Sequence, residues 1–376
     1  FTTTGATVLT QIEGLPTGVL FWRAQTQWMG GVGVLVLALA LIPKLGEGSV
    51  YLMRAESPGP IKSKLTPRLG DTAKILYIIY IGLTAAETIC LRLAGMSWYE
   101  ALTHSFTTIS TGGFSVRNAS IAAYDSMLID WIIIVFMFLS GINFALLFYA
   151  VRRNFKAVFQ SEELRSYTIM AVAASALIVL NLVVHAGWAL NAETITDATF
   201  QVVTLMTTTG YMTYDYVLWP TFAQTVLVLV MFAGACAGST AGGIKTTTVA
   251  VILLHTIAGV RREQSTNVFG RSIGDDALKK ATSVLFTNLF LVLGGTLLIC
   301  GVQSLPLTEV LFEVFSAIGT VGMSTGVTRS LTAFSRGVII FLMYCGRVGS
   351  ISFAVALLEK KALPPVTLPR ERITIG

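Results

Sequence analysis

The chain has 376 residues, of which 54% are hydrophobic and 12% charged, and its mean hydropathy is +0.73. Soluble domains carry about 25% charged residues, so the composition excludes an ordinary soluble protein. The formal net charge is +6, and the placement of the basic residues described below assigns that charge to membrane topology rather than to nucleic-acid binding. Cys90, Cys236, Cys300 and Cys345 all lie inside apolar stretches, where each reads as a small hydrophobe rather than a disulfide or metal ligand.

Seven apolar runs follow one another along the chain, over roughly 19–43, 75–94, 127–151, 166–189, 222–257, 280–303 and 336–358. Each is long enough to cross a hydrocarbon core of about 30 Å as a helix. The runs are continuous rather than alternating, which argues against a β-barrel. Between them lie shorter, Thr-rich segments at about 97–110, 196–208 and 307–319, a length that suits re-entrant helices.

Basic residues mark one face of this arrangement. Lys44, Arg54, Lys62, Lys64, Arg68 and Lys74 fall in one connection, Arg152, Arg153, Lys156 and Arg165 in the next but one, and Arg261, Arg262, Arg271, Lys279 and Lys280 in a third. With Lys360, Lys361, Arg370 and Arg372 in the tail, 19 of the 26 Lys and Arg residues sit on alternate connections. By the positive-inside rule these are cytoplasmic, and the Thr-rich segments open to the outside. Glu13, Glu100, Asp125, Glu193, Asp197, Asp215, Glu309 and Glu313 lie on that outer side. They read either as a vestibule that concentrates cations or as helix N-terminal carboxylates.

Each re-entrant segment ends in a related string: Thr2-Thr3-Thr4-Gly5-Ala6, Ile109-Ser110-Thr111-Gly112-Gly113, Thr207-Thr208-Thr209-Gly210-Tyr211 and Gly319-Thr320-Val321-Gly322-Met323. Aligning Gly5, Gly112, Gly210 and Gly322 gives separations of 107, 98 and 112 residues, the period of a fourfold internal repeat. The implied fold is an all-α polytopic membrane protein of four pseudo-symmetric helix–pore helix–helix repeats around one central pore. The units fall at 1–74, 75–165, 166–279 and 280–376, and because the chain opens within the first string the first unit is expected to be truncated. Alone, one Thr-Thr-Gly is a helix C-cap. Four in register predict a cation filter, because irregular backbone at membrane depth is tolerated where it lines a wet cavity and strand carbonyls can replace an ion's hydration shell. The predicted filter residues are Thr3, Thr4 and Gly5; Ser110, Thr111 and Gly112; Thr208, Thr209 and Gly210; and Thr320, Val321 and Gly322.

Two further features lie at membrane depth. The run 222–257 contains Gly234, Gly238, Gly242 and Gly243 within ten residues, followed by Lys245. Each glycine weakens a helix by roughly 1 kcal/mol relative to alanine, which predicts a break; close helix packing of small residues is the other reading. Arg347, in Tyr344-Cys345-Gly346-Arg347-Val348-Gly349, carries a charge that costs at least about 2.5 kcal/mol in lipid and so points to the pore or to a static buried partner. Glu87 and Arg92 read as structural, and His104, His185 and His255 show no ligand spacing. No catalytic constellation is present in the sequence, which predicts no enzyme and no cofactor.

These residues resemble the Trk/Ktr/HKT superfamily of potassium transporters over nearly the whole chain. The resemblance rests on the four Thr-Gly strings, Ala55-Glu56-Ser57-Pro58-Gly59-Pro60 with Lys64-Leu65-Thr66-Pro67-Arg68, the segment Thr207 to Pro220, Gly234 to Lys245, and Gly346-Arg347-Val348-Gly349. The 55–68 loop and Asp215 to Pro220 look closest to the Trk-type branch, and the ending Arg372 to Gly376 is similar to Ktr-type tails. The resemblance implies a multi-pass bacterial inner-membrane protein taking up K⁺, with the filter entrance outside and Gly234, Gly238, Gly242, Gly243, Lys245 and Arg347 as its gate. It also implies a homodimer in membrane lipid and a cytosolic nucleotide-binding (NAD/ATP/ADP-type) regulatory subunit, with no nucleic acid bound. Glycine at all four filter positions implies potassium, since a serine at the first is associated with sodium permeation in some plant members. A Na⁺- or H⁺-coupled symporter and a non-conducting membrane scaffold are the rival readings.

Overall fold

The computed structural model describes residues 1–33, 69–262, 267–268 and 271–349. The 55–68 motif, the tail from 350 and the basic residues in both lie outside the described residues. Within them the chain is helical, apart from one small antiparallel hairpin of β1 (Asn267–Val268) and β2 (Arg271–Ser272).

Three helices are long and apolar enough to span: α2 (Leu69–Leu93), α7 (Glu162–His185) and α11 (Asp275–Val302). Each is followed by a short helix that leads into a Thr-Gly string: α3 (Trp98–Ile109), α8 (Ala192–Met206) and α12 (Leu307–Gly319). Local chemistry sets where the short helices start. Ser97 and Glu100 form a reciprocal capping box on α3, Asn191 accepts from the Thr194 amide of α8, and Pro306 precedes α12, each supplying or sparing an orphan amide.

The remaining helices return from the Thr-Gly strings. They are α1 (Thr17–Val32), α4 (Met127–Ser140) with α5 (Phe144–Val151), α9 (Thr221–Ala233) with α10 (Thr246–Val260), and α13 (Ala333–Val348). A five-residue helix, α6 (Phe155–Phe159), follows α5. Every short helix packs against its own outer helix and against the inner helix of the preceding unit: α3 on α2 and α1, α8 on α7 and α4, α12 on α11 and α9. The units therefore interlock in chain order around the short helices. The largest buried cluster, which includes Tyr167, Leu205, Met231 and Val321, fills the seam between units two, three and four. Outward faces remain apolar, as on α11, where Phe286, Phe290, Leu293 and Leu297 are exposed; a stripe of this kind suits lipid.

Two runs read as single spans are broken. The 222–257 run divides into α9 and α10 at the glycine-rich segment, as its composition predicts. The 127–151 run, expected to be continuous, bends by 104° between α4 and α5. There Ser140 bonds back to the Phe136 carbonyl, Gly141 ends α4, and the Asn143 side chain caps the Ala145 amide. The carbonyls freed at Ser140 and Gly141 accept from the glycine-rich segment instead, at Thr240 and Cys236.

Candidate permeation site

The four Thr-Gly strings adopt one backbone conformation. Thr3, Thr111, Thr208 and Thr320 all have left-handed φ, between 53° and 58°, a region where a β-branched residue is an outlier. Two residues later Gly5, Gly113, Gly210 and Gly322 have φ of 76°, 71°, 84° and 82°. Alternating the handedness of successive residues turns their carbonyls towards one side instead of opposite sides, the arrangement that a row of ion-facing carbonyls requires.

The strings also close into a ring. A Cβ added to Gly5 would lie 2.3 Å from the Gly112 carbonyl oxygen, one on Gly113 1.9 Å from that of Thr209, one on Gly210 2.0 Å from that of Val321, and one on Gly322 1.7 Å from that of Thr4. Each glycine thus gives way to the backbone of the next strand, and the fourth meets the first. Side chains are excluded there by sterics and by φ together.

This geometry corrects the register of the second repeat. Gly113, not Gly112, is the counterpart of Gly5, Gly210 and Gly322, which makes the separations 108, 97 and 112 residues. Gly112 occupies the place of Thr4, Thr209 and Val321, and its φ is not left-handed. Ser110 is the C-cap of α3, as Thr207 is of α8, and lies below the strand. The hydrogen bonds agree: the Gly112 amide donates to Thr107, that of Thr209 to Thr204 and that of Val321 to Ser316. Two adjacent glycines in the sequence hide the shift.

In the corrected register a polar side chain recurs nine residues before the glycine in every complete unit: His104, Gln201 and Glu313, all buried. Each ties its short helix to the chain beyond the strand. His104 Nε2 pairs with Ser115 Oγ at 3.0 Å, Gln201 Nε2 donates to the Tyr214 carbonyl at 3.1 Å, and Glu313 accepts from the Thr328 hydroxyl. Gln27 on α1 braces the second strand, donating to the Gly112 carbonyl at 2.7 Å and accepting from the Phe114 amide at 3.1 Å. The sequence offers Glu313 only as one of the outer carboxylates and gives His104, Gln201 and Gln27 no site role; the nine-residue offset is the signal that finds three of the four.

Beneath the ring lies the segment 234–245, between α9 and α10. The Gly242 amide donates to Thr208 Oγ1 at 3.0 Å, and a Cβ on Gly242 would lie 1.9 Å from Thr320 Oγ1, so the segment presses on the lower ends of the third and fourth strands. Gly234, Gly238 and Gly243 have left-handed φ of 57°, 74° and 62°. Lys245 folds back on the segment, its ammonium donating to the Ala241 and Gly242 carbonyls at 2.5 and 3.2 Å. Arg347 reaches across from α13. Its guanidinium donates to Thr3 Oγ1 at 3.0 Å, to the Thr240 carbonyl at 2.7 Å, and to the Gly31 carbonyl at 2.7 Å and that of Gly30. One side chain thereby joins the first strand, the first inner helix and the segment below the ring.

A chain of this geometry has known counterparts. Residues 1–364 match the TrkH family model, described as "Cation transport protein". The chain belongs to that family. It is a transporter rather than an enzyme. The Trk system potassium uptake protein TrkH of Vibrio parahaemolyticus is 42% identical over 264 residues, which cover 69% of this chain and 54% of that protein. The TrkH protein of Escherichia coli K12 is 35% identical over 358 residues, 92% of this chain and 74% of that one. The crystal structure of the potassium transporter TrkH from Vibrio parahaemolyticus superposes with a TM-score of 0.82 at 29% identity, covering 95% of this chain and 75% of that one.

In this TrkH-family chain Glu13, Glu100, Asp197 and Asp215, four of the outer carboxylates, have partners in the loops. Glu100 caps α3 and pairs with Arg117 at 2.8 Å. Burial would raise its carboxyl, but the bonds from Ser97 and Arg117 outweigh that and hold it below the ordinary carboxylate value. Glu13 accepts from the Asn118 amide, Asp197 from the Thr213 hydroxyl and Asp215 from the Val217 amide. These carboxylates therefore shape the loops around the strands whatever field they add. Arg92 donates to the Met96 carbonyl, while Glu87 is fully buried on α2 beside the Thr108 hydroxyl, with no hydrogen bond of good geometry.

Proposed function

We propose that this chain is the membrane subunit of a potassium uptake system, passing K⁺ through the ring of four Thr-Gly strands. The observation that carries the reading is the closed ring itself, with one left-handed threonine and one left-handed glycine per strand and each glycine seated against the next strand's carbonyl. Carbonyls held by four rigid strands can stand in for the hydration shell of a monovalent cation. The printed names of the Escherichia coli and Vibrio parahaemolyticus relatives, potassium uptake proteins, favour K⁺ as the ion.

Thr3, Thr4, Gly5, Thr111, Gly112, Gly113, Thr208, Thr209, Gly210, Thr320, Val321 and Gly322 form the filter in this reading. The segment with Gly234, Gly238, Gly242 and Gly243, with Lys245 and Arg347, is the gate beneath it, placing two side-chain cations on the path of a third. The units at 1–74, 75–165, 166–279 and 280–376 surround one pore whose entrance faces outside the inner membrane. A membrane potential drives K⁺ inward by about 2.3 kcal/mol per charge per 100 mV. The working assembly is a homodimer with a cytosolic nucleotide-binding subunit docked on the basic face.

The test is cation flux through the purified full-length protein in liposomes, with K⁺ against Na⁺ and with and without the regulatory subunit. K⁺ flux that follows its own gradient and exceeds Na⁺ flux is expected. Flux that requires a Na⁺ or H⁺ gradient would replace the channel-like reading with coupled symport, and absence of flux would leave a scaffold.

A further inference from the structure

The glycine-rich segment is held from one side by a neighbour that the gate reading does not use. Glu163, in the first turn of α7, accepts from the Ala237 amide with Oε1 at 2.7 Å, and its Oε2 accepts from Asn143 Nδ2 at 3.4 Å. Asn143 ends the bend between α4 and α5 and caps the Ala145 amide at 3.0 Å. The same bend makes three backbone bonds to the segment, Cys236 N to Gly141 O at 3.1 Å, Thr240 N to Ser140 O at 3.4 Å and Phe144 N to Gly238 O at 3.0 Å, and the Thr240 hydroxyl donates to the Ser140 carbonyl at 3.2 Å. A Cβ on Gly238 would lie 3.1 Å from Asn143 Oδ1, so the Asn143 side chain also packs closely on the segment.

Ser140 and Gly141 would ordinarily bond onward within a continuous helix. Their carbonyls are bound to the segment because the helix bends there, and the segment keeps its shape because those carbonyls receive it. Neither can move alone without stripping buried backbone groups of their partners. Glu163, from a third helix, grips both pieces with one carboxylate.

We propose that Glu163 is a latch between the glycine-rich segment and the bend of the second inner helix, so that the segment leaves the pore only when 140–143 rearranges with it. The proposal rests on reading that segment as the gate. It also gives the α5–α6 connection, with Arg152, Arg153 and Lys156 at the end of α5 and start of α6, a mechanical role: a partner displacing α5 from the cytoplasmic side pulls on the bend and thereby on the gate. Glu163 is a positioning residue here and touches no ion.

Glu163 also sits at a helix N-terminus, where any carboxylate is favourable, and two conservative variants separate the roles. Glu163→Asp keeps the charge at the helix end but shortens the reach to Ala237. Glu163→Gln keeps the reach and an acceptor oxygen but removes the charge.

Cys236, fully buried beside Ala237, reports opening through its rate of modification by a soluble thiol reagent in the full-length protein, with Cys236→Ser as the blank for the other three cysteines. For a latch, Glu163→Asp and Glu163→Ala raise the Cys236 rate and the unregulated K⁺ flux by on the order of 10- to 100-fold, the worth of the charge-assisted hydrogen bonds lost, while Glu163→Gln, which keeps neutral bonds of the same reach, gives a rise several times smaller than Glu163→Asp. Asn143→Ala gives a smaller rise of the same kind, and serves if Glu163→Ala does not fold. Hydrogen exchange should then lose protection over 140–148 and 234–243 together.

Wild-type labelling in Glu163→Asp and Asn143→Ala overturns the latch. Exchange confined to 234–243 overturns the coupling to the bend. Faster labelling with unchanged flux leaves the latch standing and overturns the gate reading instead, so the two failures are distinguishable.

Discussion

The strands and the segment beneath them are built on opposite principles. In the ring, four stretches with three different sequences converge on one conformation, and each is fixed by the next: Thr-Thr-Gly twice, Thr-Gly-Gly and Thr-Val-Gly all give a left-handed residue, a spacer and a left-handed glycine. Below, a single stretch from one repeat is held by unlike parts, namely Arg347 from α13, Glu163 from α7 and the bend after α4. Fourfold restraint leaves a strand no alternative position. Restraint by a few hydrogen bonds from unlike partners is the kind that a second arrangement can compete with, as the proposed gate requires.

The largest effect is expected where the ring is broken. Gly322→Ser and Gly113→Ser each put a Cβ within 2 Å of a neighbouring carbonyl oxygen at a φ that costs a side-chained residue about 1–2 kcal/mol before any clash. Both should abolish K⁺ over Na⁺ discrimination in liposome flux or reduce it by on the order of 100-fold. Gly112→Ser is the internal comparison. Its Cβ meets the Gln27 side chain at 2.4 Å rather than backbone, and its φ is ordinary, so a loss several times smaller is expected. Damage at Gly112 exceeding that at Gly113 would restore the sequence-derived register.

Next comes the tie between the two regions. Arg347→Ala removes hydrogen bonds to Thr3, Gly30, Gly31 and Thr240 at once and takes a fixed positive charge from below the ring. Unregulated cation flux should rise about tenfold with selectivity retained, because the strands keep one another in place. Arg347→Lys should not restore the wild-type rate, since an ammonium cannot span acceptors on three elements as a guanidinium does. Flux and regulation unchanged in Arg347→Ala would remove Arg347 from the gate. Gly242→Ala tests the same contact from the other side: its Cβ would fall 1.9 Å from Thr320 Oγ1, lifting the segment from the ring, and a rise in unregulated flux of several-fold is expected.

The ring and the segment differ also in how far the sequence reveals them. Repetition made the strands legible, because a left-handed position pressed against the next strand's carbonyl forces glycine, and four forced glycines at a regular period stand out. The register failed at Gly112-Gly113, where two glycines adjoin and only one is forced. The break at 234–245 was legible from glycine content, a local property. The bend at 140–143 was not: one glycine in an apolar run is weak evidence, and the bend is stable because the Ser140 and Gly141 carbonyls find partners a hundred residues away. Glu163 was invisible for the same reason, since in the sequence it is one of two acids opening a helix, and only its Ala237 contact sets it apart.

The smallest predicted effect probes whether the ring is as redundant as its geometry implies. Tyr211 follows Gly210, and its hydroxyl reaches the second repeat's short helix, 2.5 Å from Thr107 Oγ1 and 3.2 Å from the His104 carbonyl. The residues after the other three strand glycines are Ala6, Phe114 and Met323, none with a hydroxyl, so one interface of the four carries this brace. Tyr211→Phe keeps the ring and its packing and removes only the hydroxyl. Its loss should cost about 1 kcal/mol, read as a modest fall in thermal stability of the purified protein, with K⁺ over Na⁺ discrimination reduced no more than about threefold. A larger loss of discrimination would mean that the third strand is held by this hydroxyl rather than by its neighbours, and the contrast between a self-restrained ring and an individually pinned segment would then fail at that strand.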